Sequence, residues 1–203
     1  EFRRVLFRSL TFEQASRGNV VMVGRGAQVI LHDLPGVFCV AVMASRPVRV
    51  KRIMGKLGIS HEEAHYYVEK YDKERVNLIK TIFETDPTDT SLYNLLINTD
   101  HYTADAAADV IAYAAGRMDV IPDEQEVTTQ LKSTALAKRI EALVQKKLTS
   151  AVARNVEISG APGGLISISG YLREKADKKK VQQIATEYPG VTKVENNLKV
   201  TDL

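Results

Sequence analysis

Three short apolar runs that lack polar alternation constrain the fold of this chain most strongly. They are NVVMVG, VFCVAVM and YNLLIN, at residues 19–24, 37–43 and 93–98. Uninterrupted apolar runs of this length are typical of strands that are buried on both faces, as in parallel sheets. We therefore predict a strand of a parallel sheet at each of the three runs.

Helical patterns lie between and after these runs. Ser60 and Glu63 form a capping-box pattern, in which the side chain of each residue accepts a hydrogen bond from the backbone N–H of the other. Three helices are expected, from Ser45 to about Lys56, from Ser60 to about Phe83, and from Thr103 to about Gly116. Strands that alternate with helices predict an α/β domain.

The pattern changes after residue 116. Residues 117–130 carry Pro122 and several acids but no sustained period, so we predict a linker. An apolar helix face follows, and then two alternating strands around the turn GAPGG at 160–164. A helix at 175–188 and an alternating strand at 194–200 complete the order αββαβ, which predicts a small α+β domain.

Composition and charge exclude several function classes. The chain has 203 residues, of which 44% are hydrophobic and 26% charged, as expected for a globular protein, and its formal net charge is +3. Residues 1–9, EFRRVLFRS, hold three arginines against one glutamate and show neither a clear apolar period nor a cap. We interpret them as a cloning or assembly scar outside the fold. The remaining charge does not argue for a nucleic-acid partner.

The single cysteine and the lack of long apolar runs indicate a compartment. Cys39 lies in an apolar run, where we predict a buried structural thiol. One cysteine cannot form an internal disulfide, which fits a reducing environment. No apolar run approaches the roughly 20 residues of a membrane span, and no secretory signal is recognisable. We expect a cytoplasmic protein.

Arginines concentrate in the predicted α/β domain. Arg25, between Gly24 and Gly26, directly follows the first predicted strand, where open α/β sheets bind ligands. Arg46, Arg49 and Arg52 recur every third residue along the next helix, and Arg75 follows in the run DKER. Several arginines that face one cleft suit phosphoryl transfer, whereas a loop arginine and a solvated basic helix face are the simpler alternatives.

The order of these motifs is similar to that of a known family. The runs GNVVMVGRGAQVILHDLPGVFCVAV, RPVRVKRIMGKLGISHEEA and DKERVNLIKTIFETDPTDTSLYNLLINTD resemble the cytidylate kinase-like family of P-loop proteins. The resemblance covers roughly Leu10 to Gly116. It implies a partial parallel-sheet P-loop kinase-like domain, a CMP-type nucleoside monophosphate as substrate, and ATP with Mg2+ as cofactors.

The resemblance also assigns roles to individual residues. Arg25, with Gly24 and Gly26, matches the site that holds the phosphate of the monophosphate acceptor. Arg49 and Arg52 match the basic helix that leads to the lid. The resemblance implies catalytic roles for Asp72 and Arg75 in the lid, where Arg75 reaches the transferring phosphoryl group.

One expected motif of that family is missing from the sequence. A P-loop needs a glycine-rich turn followed by Lys and Ser or Thr, so that backbone N–H groups cradle the phosphates. Gly55-Lys56 has Val50 where a glycine is required, and the run GAPGG at 160–164 has no lysine. We therefore expect a truncated chain that neither binds ATP tightly nor turns over.

A second short motif points to different chemistry. The run HEEAH, from His61 to His65, matches the H-E-x-x-H signature of zinc proteases. Tyr71 stands where a third histidine ligand would fall in the longer signature, and the run coincides with the capped acidic first turn of a helix. We favour the capping interpretation and predict no metal site.

The carboxyl-terminal αββαβ segment resembles a BON domain. The resemblance rests on the run ISISGYLREKADKKKVQQIATEYPGVTKVENNLKV and covers roughly Thr129 to Leu203. It implies binding of a phospholipid surface or a protein partner, without catalytic residues. The lysines at 175, 178, 179 and 180 could meet anionic lipid, although a solvated helix face is the simpler interpretation.

These observations divide the chain and leave two functions open. We expect a scar at 1–9, a cytidylate kinase-like domain at 10–116, a linker at 117–130 and a BON domain at 131–203. One hypothesis is a phosphotransferase of the cytidylate kinase type that is truncated and inactive here. The other is a non-catalytic nucleotide sensor or scaffold that acts through its BON domain.

Overall fold

The computed structural model describes residues 2–24, 26–118 and 123–201, and their side chains from Arg4 onward. The chain divides into two compact units. The flanking unit consists of Glu1–Val21 with Pro122–Leu203, and the central unit consists of Met22–Ile121. We describe each unit by itself.

The described residues form eight α-helices, two short 3-10 helices and six strands. The helices are α1 Phe2–Ala15, α2 Ala27–Leu31, α3 Arg46–Leu57, α4 His61–Phe83, α5 Ala104–Ala115, α6 Glu124–Lys147, α7 Ser150–Ala153 and α8 Lys175–Thr186. The strands are β1 Val40–Met43, β2 Leu95–Asn98, β3 Val156–Ala161, β4 Leu165–Leu172, β5 Lys193–Asn196 and β6 Lys199–Val200. None of the helices in these ranges combines the length and apolar character of a membrane span.

The central unit contains a two-stranded parallel sheet. Strands β1 and β2 pair in register from Val40 opposite Leu95 to Met43 opposite Asn98. The mixed α/β architecture with a small parallel sheet confirms the predicted fold class of this region. Cys39 is buried just before β1, and burial raises the pKa of its thiol, which keeps the group protonated.

The first predicted strand is not formed. Residues 19–24 adopt no regular secondary structure, and Val21 and Val23 are 91% and 97% exposed. Apolar residues form a buried strand only where a neighbouring strand satisfies their backbone groups and covers their side chains. In the described residues no strand pairs with this run. The strand predicted from its apolar pattern is therefore wrong.

Helices α3 and α4 pack against each other along a small apolar core. Val50, Ala64 and Val68 are buried there. Gly58 ends α3 in the left-handed conformation, and Ser60 opens α4 with the predicted capping box. The Ser60 N–H donates to Oε2 of Glu63 at 2.9 Å, and the Glu63 N–H donates to Oγ of Ser60 at 3.2 Å. The capping prediction for α4 is confirmed.

The flanking unit has the predicted order αββαβ with small additions. Strand β4 pairs antiparallel with β3 and parallel with β5, and α6 and α8 pack on the apolar face of this sheet. The core is formed by buried side chains from all of these elements, among them Ile140, Val144, Ile158, Ile166, Ile168, Val181 and Leu198. The last strand is interrupted, because β5 ends at Asn196 and β6 begins at Lys199.

Two segments differ from the sequence interpretation. Helix α1 includes most of residues 1–9, which we had placed outside the fold, and it packs along α6 with an ion pair between Arg139 and Glu13. Its buried side chains, such as Val5 and Phe12, lie seven residues apart, which is one helix face. Helix α6 begins at Glu124, so the second half of the predicted linker 117–130 is helical. Pro122 and residues 119–121 lie outside the described residues.

Candidate functional site

The ends of the two parallel strands carry a compact polar network in the central unit. The Thr99 N–H and its Oγ1 hydroxyl both donate to the carbonyl oxygen of Met43, at 2.8 and 2.9 Å. The Ser45 N–H donates to Oδ1 of Asp100 at 2.7 Å. That hydrogen bond lowers the pKa of Asp100, so its carboxylate stays ionised. The network fixes the loop after β1 to the loop after β2.

Arg52 joins helix α3 to this network. Its Nη1 donates to Oγ1 of Thr99 at 3.0 Å, and its Nη2 donates to the Thr99 carbonyl oxygen at 2.6 Å. A forked guanidinium is well suited to hold two acceptors of one residue. Two of the donors of Arg52 are therefore used to hold α3 against the strand end.

Arg49 forms an ion pair between α3 and α4. Its Nη1 and Nη2 donate to Oδ1 and Oδ2 of Asp72 at 2.6 and 2.8 Å, which is a two-pronged ion pair. This hydrogen bonding lowers the pKa of Asp72 and raises that of Arg49. The Nε atom of Arg49 is buried and has no hydrogen-bond partner in the described part of the chain.

Two further arginines act on the same carboxylate. Arg46, on α3, and Arg75, on α4, both lower the pKa of Asp72 through their charge. Arg75 is half-buried and Arg46 is exposed. Arg49 thus pairs with Asp72 directly and the other two arginines act on it through their charge, and this set of Arg46, Arg49, Asp72 and Arg75 is called the arginine cluster below. Its excess positive charge suits an oxyanion.

The glycine motif before α2 lies elsewhere in the central unit. Gly26 has a φ of 106°, and a Cβ atom there would lie 2.3 Å from Cε2 of Phe83 at the end of α4. Packing against Phe83 therefore requires a glycine at position 26. At Gly24 a Cβ atom would meet nothing within 4 Å. Arg25 lies outside the described residues.

The histidine pair of the HEEAH run lies on the exposed side of α4. The ring centroids of His61 and His65 are 6.4 Å apart, and both side chains are exposed. Glu63 is occupied by its capping interaction with Ser60. Within residues 2–24, 26–118 and 123–201, no three histidine, cysteine or acidic side chains are placed to hold a metal ion.

Comparison with protein families adds independent information. Residues 3–101 match the cytidylate kinase-like family, and residues 132–202 match the BON domain. The chain is thus similar to the cytidylate kinase-like family over its first half and to the BON domain over its last third. Both resemblances seen in the sequence are thereby confirmed. The kinase-like match begins at Arg3, within the nine residues that we had interpreted as a scar.

Two curated relatives are cytidylate kinases. A cytidylate kinase of Methanopyrus kandleri is 30% identical over 110 residues, which is 50% of this chain and 57% of the relative. A cytidylate kinase of Pyrococcus horikoshii is 26% identical over 113 residues, which is 55% of this chain and 57% of the relative. The chain therefore spans little more than half the length of these relatives.

The predicted site residues of the kinase-like region are only partly brought together. Arg49 and Asp72 form an ion pair and the charge of Arg75 lowers the pKa of Asp72, whereas Arg52 binds the strand end and Gly26 packs on Phe83. Thr99 and Asp100 are not among the site residues that the sequence patterns predict. They follow a predicted strand directly, and the carboxyl ends of parallel strands are where α/β sheets bind ligands. That rule could have identified them.

Proposed function

We propose that the arginine cluster is the phosphoryl-transfer side of a nucleoside monophosphate kinase-type site, with a CMP-like acceptor. The observation that carries this proposal is the two-pronged ion pair between Arg49 and Asp72, with Arg46 and Arg75 close enough to shift the pKa of Asp72. A guanidinium fork that fits a carboxylate also fits two phosphoryl oxygens. The kinase-like family match supports the reaction class.

Each residue of the site receives a distinct proposed role. Asp72 positions Arg49, which contacts the acceptor phosphate together with Arg25, while Arg75 stabilises charge on the transferring group. Arg25 holds the acceptor phosphate, and Gly24 leaves its loop open to the ligand. Gly26 supports that loop through its contact with Phe83, and Arg52 maintains the position of α3.

The residues of this chain do not fit ATP and Mg2+ by themselves. Gly55-Lys56 lies within helix α3, and Pro162–Gly164 is a short 3-10 turn between β3 and β4, so neither is a loop between a strand and a helix N-terminus. We therefore propose that this chain binds the monophosphate side only and does not turn over alone.

The proposal is tested by CMP binding followed by thermal shift. CMP should raise the melting temperature of the wild-type chain, and Arg25→Ala and Arg49→Gln should abolish the shift. Lys51→Gln is the matched control, because Lys51 is exposed on the same helix α3. If CMP raised the melting temperature of Arg49→Gln as much as that of the wild type, the arginine cluster would not be part of the site. A coupled assay with CMP and ATP that detected turnover would refute the proposed inactivity.

A non-catalytic sensor or scaffold is the second candidate function. The absence of a P-loop motif from the sequence and the presence of a BON domain favour it. In that case CMP would bind without phosphoryl transfer, and a lipid or protein partner would bind the BON domain. Flotation with vesicles of anionic lipid tests the lipid alternative, since a protein that stays unbound would exclude it.

The lysine run offers limited support for a lipid surface on α8. Lys178 donates to the carbonyl oxygen of Leu198 at 2.5 Å, and Lys180 lies 3.5 Å from Asp177. Only Lys175 and Lys179 lack such partners among the residues that the structure describes. Half of the run is therefore used within the domain, which weakens the case for a lipid surface on α8.

A further inference from the structure

Strand β3 is an open edge of the four-stranded sheet in the flanking unit. The strand order is β3-β4-β5, with β6 also on β4, so β3 pairs with β4 alone among the described strands. The opposite edge, β5, spans four residues and carries Lys193 and Glu195, which form an ion pair. Short strands and edge charges protect a sheet against strand addition. Strand β3 is longer, at six residues, and has Glu157 as its one charged side chain, so its edge is the less protected of the two.

The hydrogen bonds of the β3–β4 hairpin identify the backbone groups that point outward from this edge. Asn155 lies just before β3, and its carbonyl oxygen accepts from the Tyr171 N–H at 3.2 Å. Bonded and non-bonded pairs alternate along an antiparallel ladder, so the odd-numbered residues of β3 bond to β4. The even-numbered residues direct their N–H and C=O groups outward, and they are Val156, Ile158 and Gly160.

A hydrogen bond on the far side of β4 supports this alternation. Ile168 lies opposite Ile158, and its carbonyl oxygen accepts from the Asn197 N–H at 2.8 Å, on the side of β5. The backbone groups of Ile158 therefore point away from β4. Among residues 2–24, 26–118 and 123–201, no hydrogen bond satisfies the outward groups of Val156, Ile158 or Gly160. The edge thus offers unpaired donors and acceptors at the spacing of a strand.

A groove of about 550 Å³ runs along this edge. Glu157 and Ser159 line it from the polar face of β3, and Ile158 lines it from the core face. A cavity that contacts both faces of one strand lies along the edge of that strand. Helix α6 lines the other side with three polar side chains, those of Lys138, Glu141 and Gln145. The Oε1 atom of Gln145 is buried without a hydrogen-bond partner in the described part of the chain, so an incoming donor can satisfy it.

The residues of β3 fit a second copy of the same strand in one register. A two-fold axis through Ile158 sets Ile158 opposite itself and Val156 opposite Gly160, so all three outward residues bond. Glu157 then lies opposite Ser159 of the second copy, whose hydroxyl can donate to the carboxylate. An axis through residue 157 sets Glu157 opposite itself, and like charges directly opposite destabilise a sheet. An axis through Ser159 leaves Val156 without a strand residue opposite it.

We propose that two copies of this chain pair antiparallel through their β3 edges, about a two-fold axis at Ile158. The pairing joins two sheets into one and satisfies the outward backbone groups, as strand addition to a sheet edge does elsewhere. Strands of six residues bury little surface, so the dimer is weak and depends on protein concentration. It involves the flanking unit and does not rest on the proposed kinase-type site.

Charge substitutions at position 159 test the register without altering the core. Ser159 is exposed and lies opposite the neutral Ser167 on β4, so its variants should keep the wild-type melting temperature in dilute solution. Ser159→Glu sets like charges against Glu157 at both ends of the pairing and should raise the dissociation constant about tenfold. Ser159→Lys sets opposite charges there and should lower it severalfold. Ser150→Glu is the control, because Ser150 is exposed at the start of α7 and lies outside β3.

Analytical ultracentrifugation of the full chain over a concentration series measures these constants. Ser150→Glu should dimerise as the wild type does, and Glu157→Lys combined with Ser159→Glu should reverse the loss caused by Ser159→Glu alone. The proposal is overturned if the wild type stays monomeric at every concentration, or if the glutamate and lysine variants of Ser159 dimerise equally well.

Hydrogen exchange at low and high protein concentration locates the contact. The amides of residues 157 and 159 already bond to β4, so their exchange should change little with concentration. The amides of residues 156, 158 and 160 should exchange more slowly as the dimer forms. A dimer that leaves these three amides unprotected would use another surface and would overturn the proposal.

Discussion

Gly26 and Gly24 carry different constraints although they flank the same arginine. Position 26 combines a left-handed backbone with a close approach to the ring of Phe83, whereas position 24 is open. The sequence presents both as glycines that would admit a ligand. The contact that distinguishes them comes from a helix end more than fifty residues away, so local sequence could not reveal it.

A pair of alanine substitutions separates the two glycines. Gly26→Ala should lower the free energy of unfolding of the central unit by about 2–4 kcal/mol, through left-handed strain and overlap with Phe83. Gly24→Ala should leave it nearly unchanged, because its Cβ atom meets no neighbour. Urea unfolding measures both. Equal stability of the two variants would contradict the packing role of Gly26.

The Arg49–Asp72 pair makes stability depend on pH in a defined direction. The folded-state pKa of Asp72 lies below its unfolded value. The contribution of the pair to the free energy of unfolding is therefore complete above the unfolded pKa, near 4. That contribution is lost as pH falls through the folded pKa, because the unfolded chain binds the proton more tightly. Both side chains are about one-third exposed, at 34% and 31%, which limits the size of the effect.

Asp72→Asn should therefore lower the free energy of unfolding by about 1 kcal/mol at neutral pH, and by progressively less below pH about 4. The measurement is urea unfolding across this pH range. Asp109→Asn serves as the control, because Asp109 is exposed on α5 and has no ion pair among the described residues. A constant difference between Asp72→Asn and the wild type at every pH would show that the pair is not ionically linked.

At the scale of elements, sequence patterns were reliable where local chemistry determines the structure. Capping residues located the starts of α4 and α5, and apolar alternation located the β3–β4 hairpin. The run at 19–24 failed because a buried strand depends on its neighbours, which the run itself does not encode. Helix α1 was missed because its packing partner α6 lies over a hundred residues away.

The contact between α6 and β3 depends on one glycine. A Cβ atom at Gly160 would lie 2.2 Å from the carbonyl oxygen of Ser133, so Gly160→Ala forces the helix away from the strand. We expect a loss of about 2–3 kcal/mol in the BON domain. Gly55→Ala, at an open position in the last turn of α3, should instead stabilise its unit by about 0.5–1 kcal/mol. Thermal unfolding of both variants checks the two opposite signs.

The whole molecule is expected to contain one weak and one strong unit. The central unit has only two sheet strands among its described residues, and apolar side chains such as Val42, 58% exposed, remain on its surface. The BON domain buries a larger connected core. Exposed apolar sheet surface lowers stability and favours aggregation.

Hydrogen exchange compares the two units in one experiment. Amides of β1 and β2 should exchange at lower free energies of opening than those of β3 and β4, because local stability follows the buried apolar contacts. Equal protection of the two sheets would contradict this ranking. Protection of residues 20–23 would contradict the unpaired state of that run.

The central claim, that the arginine cluster binds the phosphate of a nucleoside monophosphate, is tested most directly by an NMR titration with CMP. The amides around Arg46–Arg49 and Asp72–Arg75 should shift in the wild type and stay unshifted in Arg49→Gln, with cytidine as the phosphate-free control. CMP should change the chemical shifts of these amides, and cytidine should not. Equal shifts with cytidine and CMP, or undiminished shifts in Arg49→Gln, would contradict it.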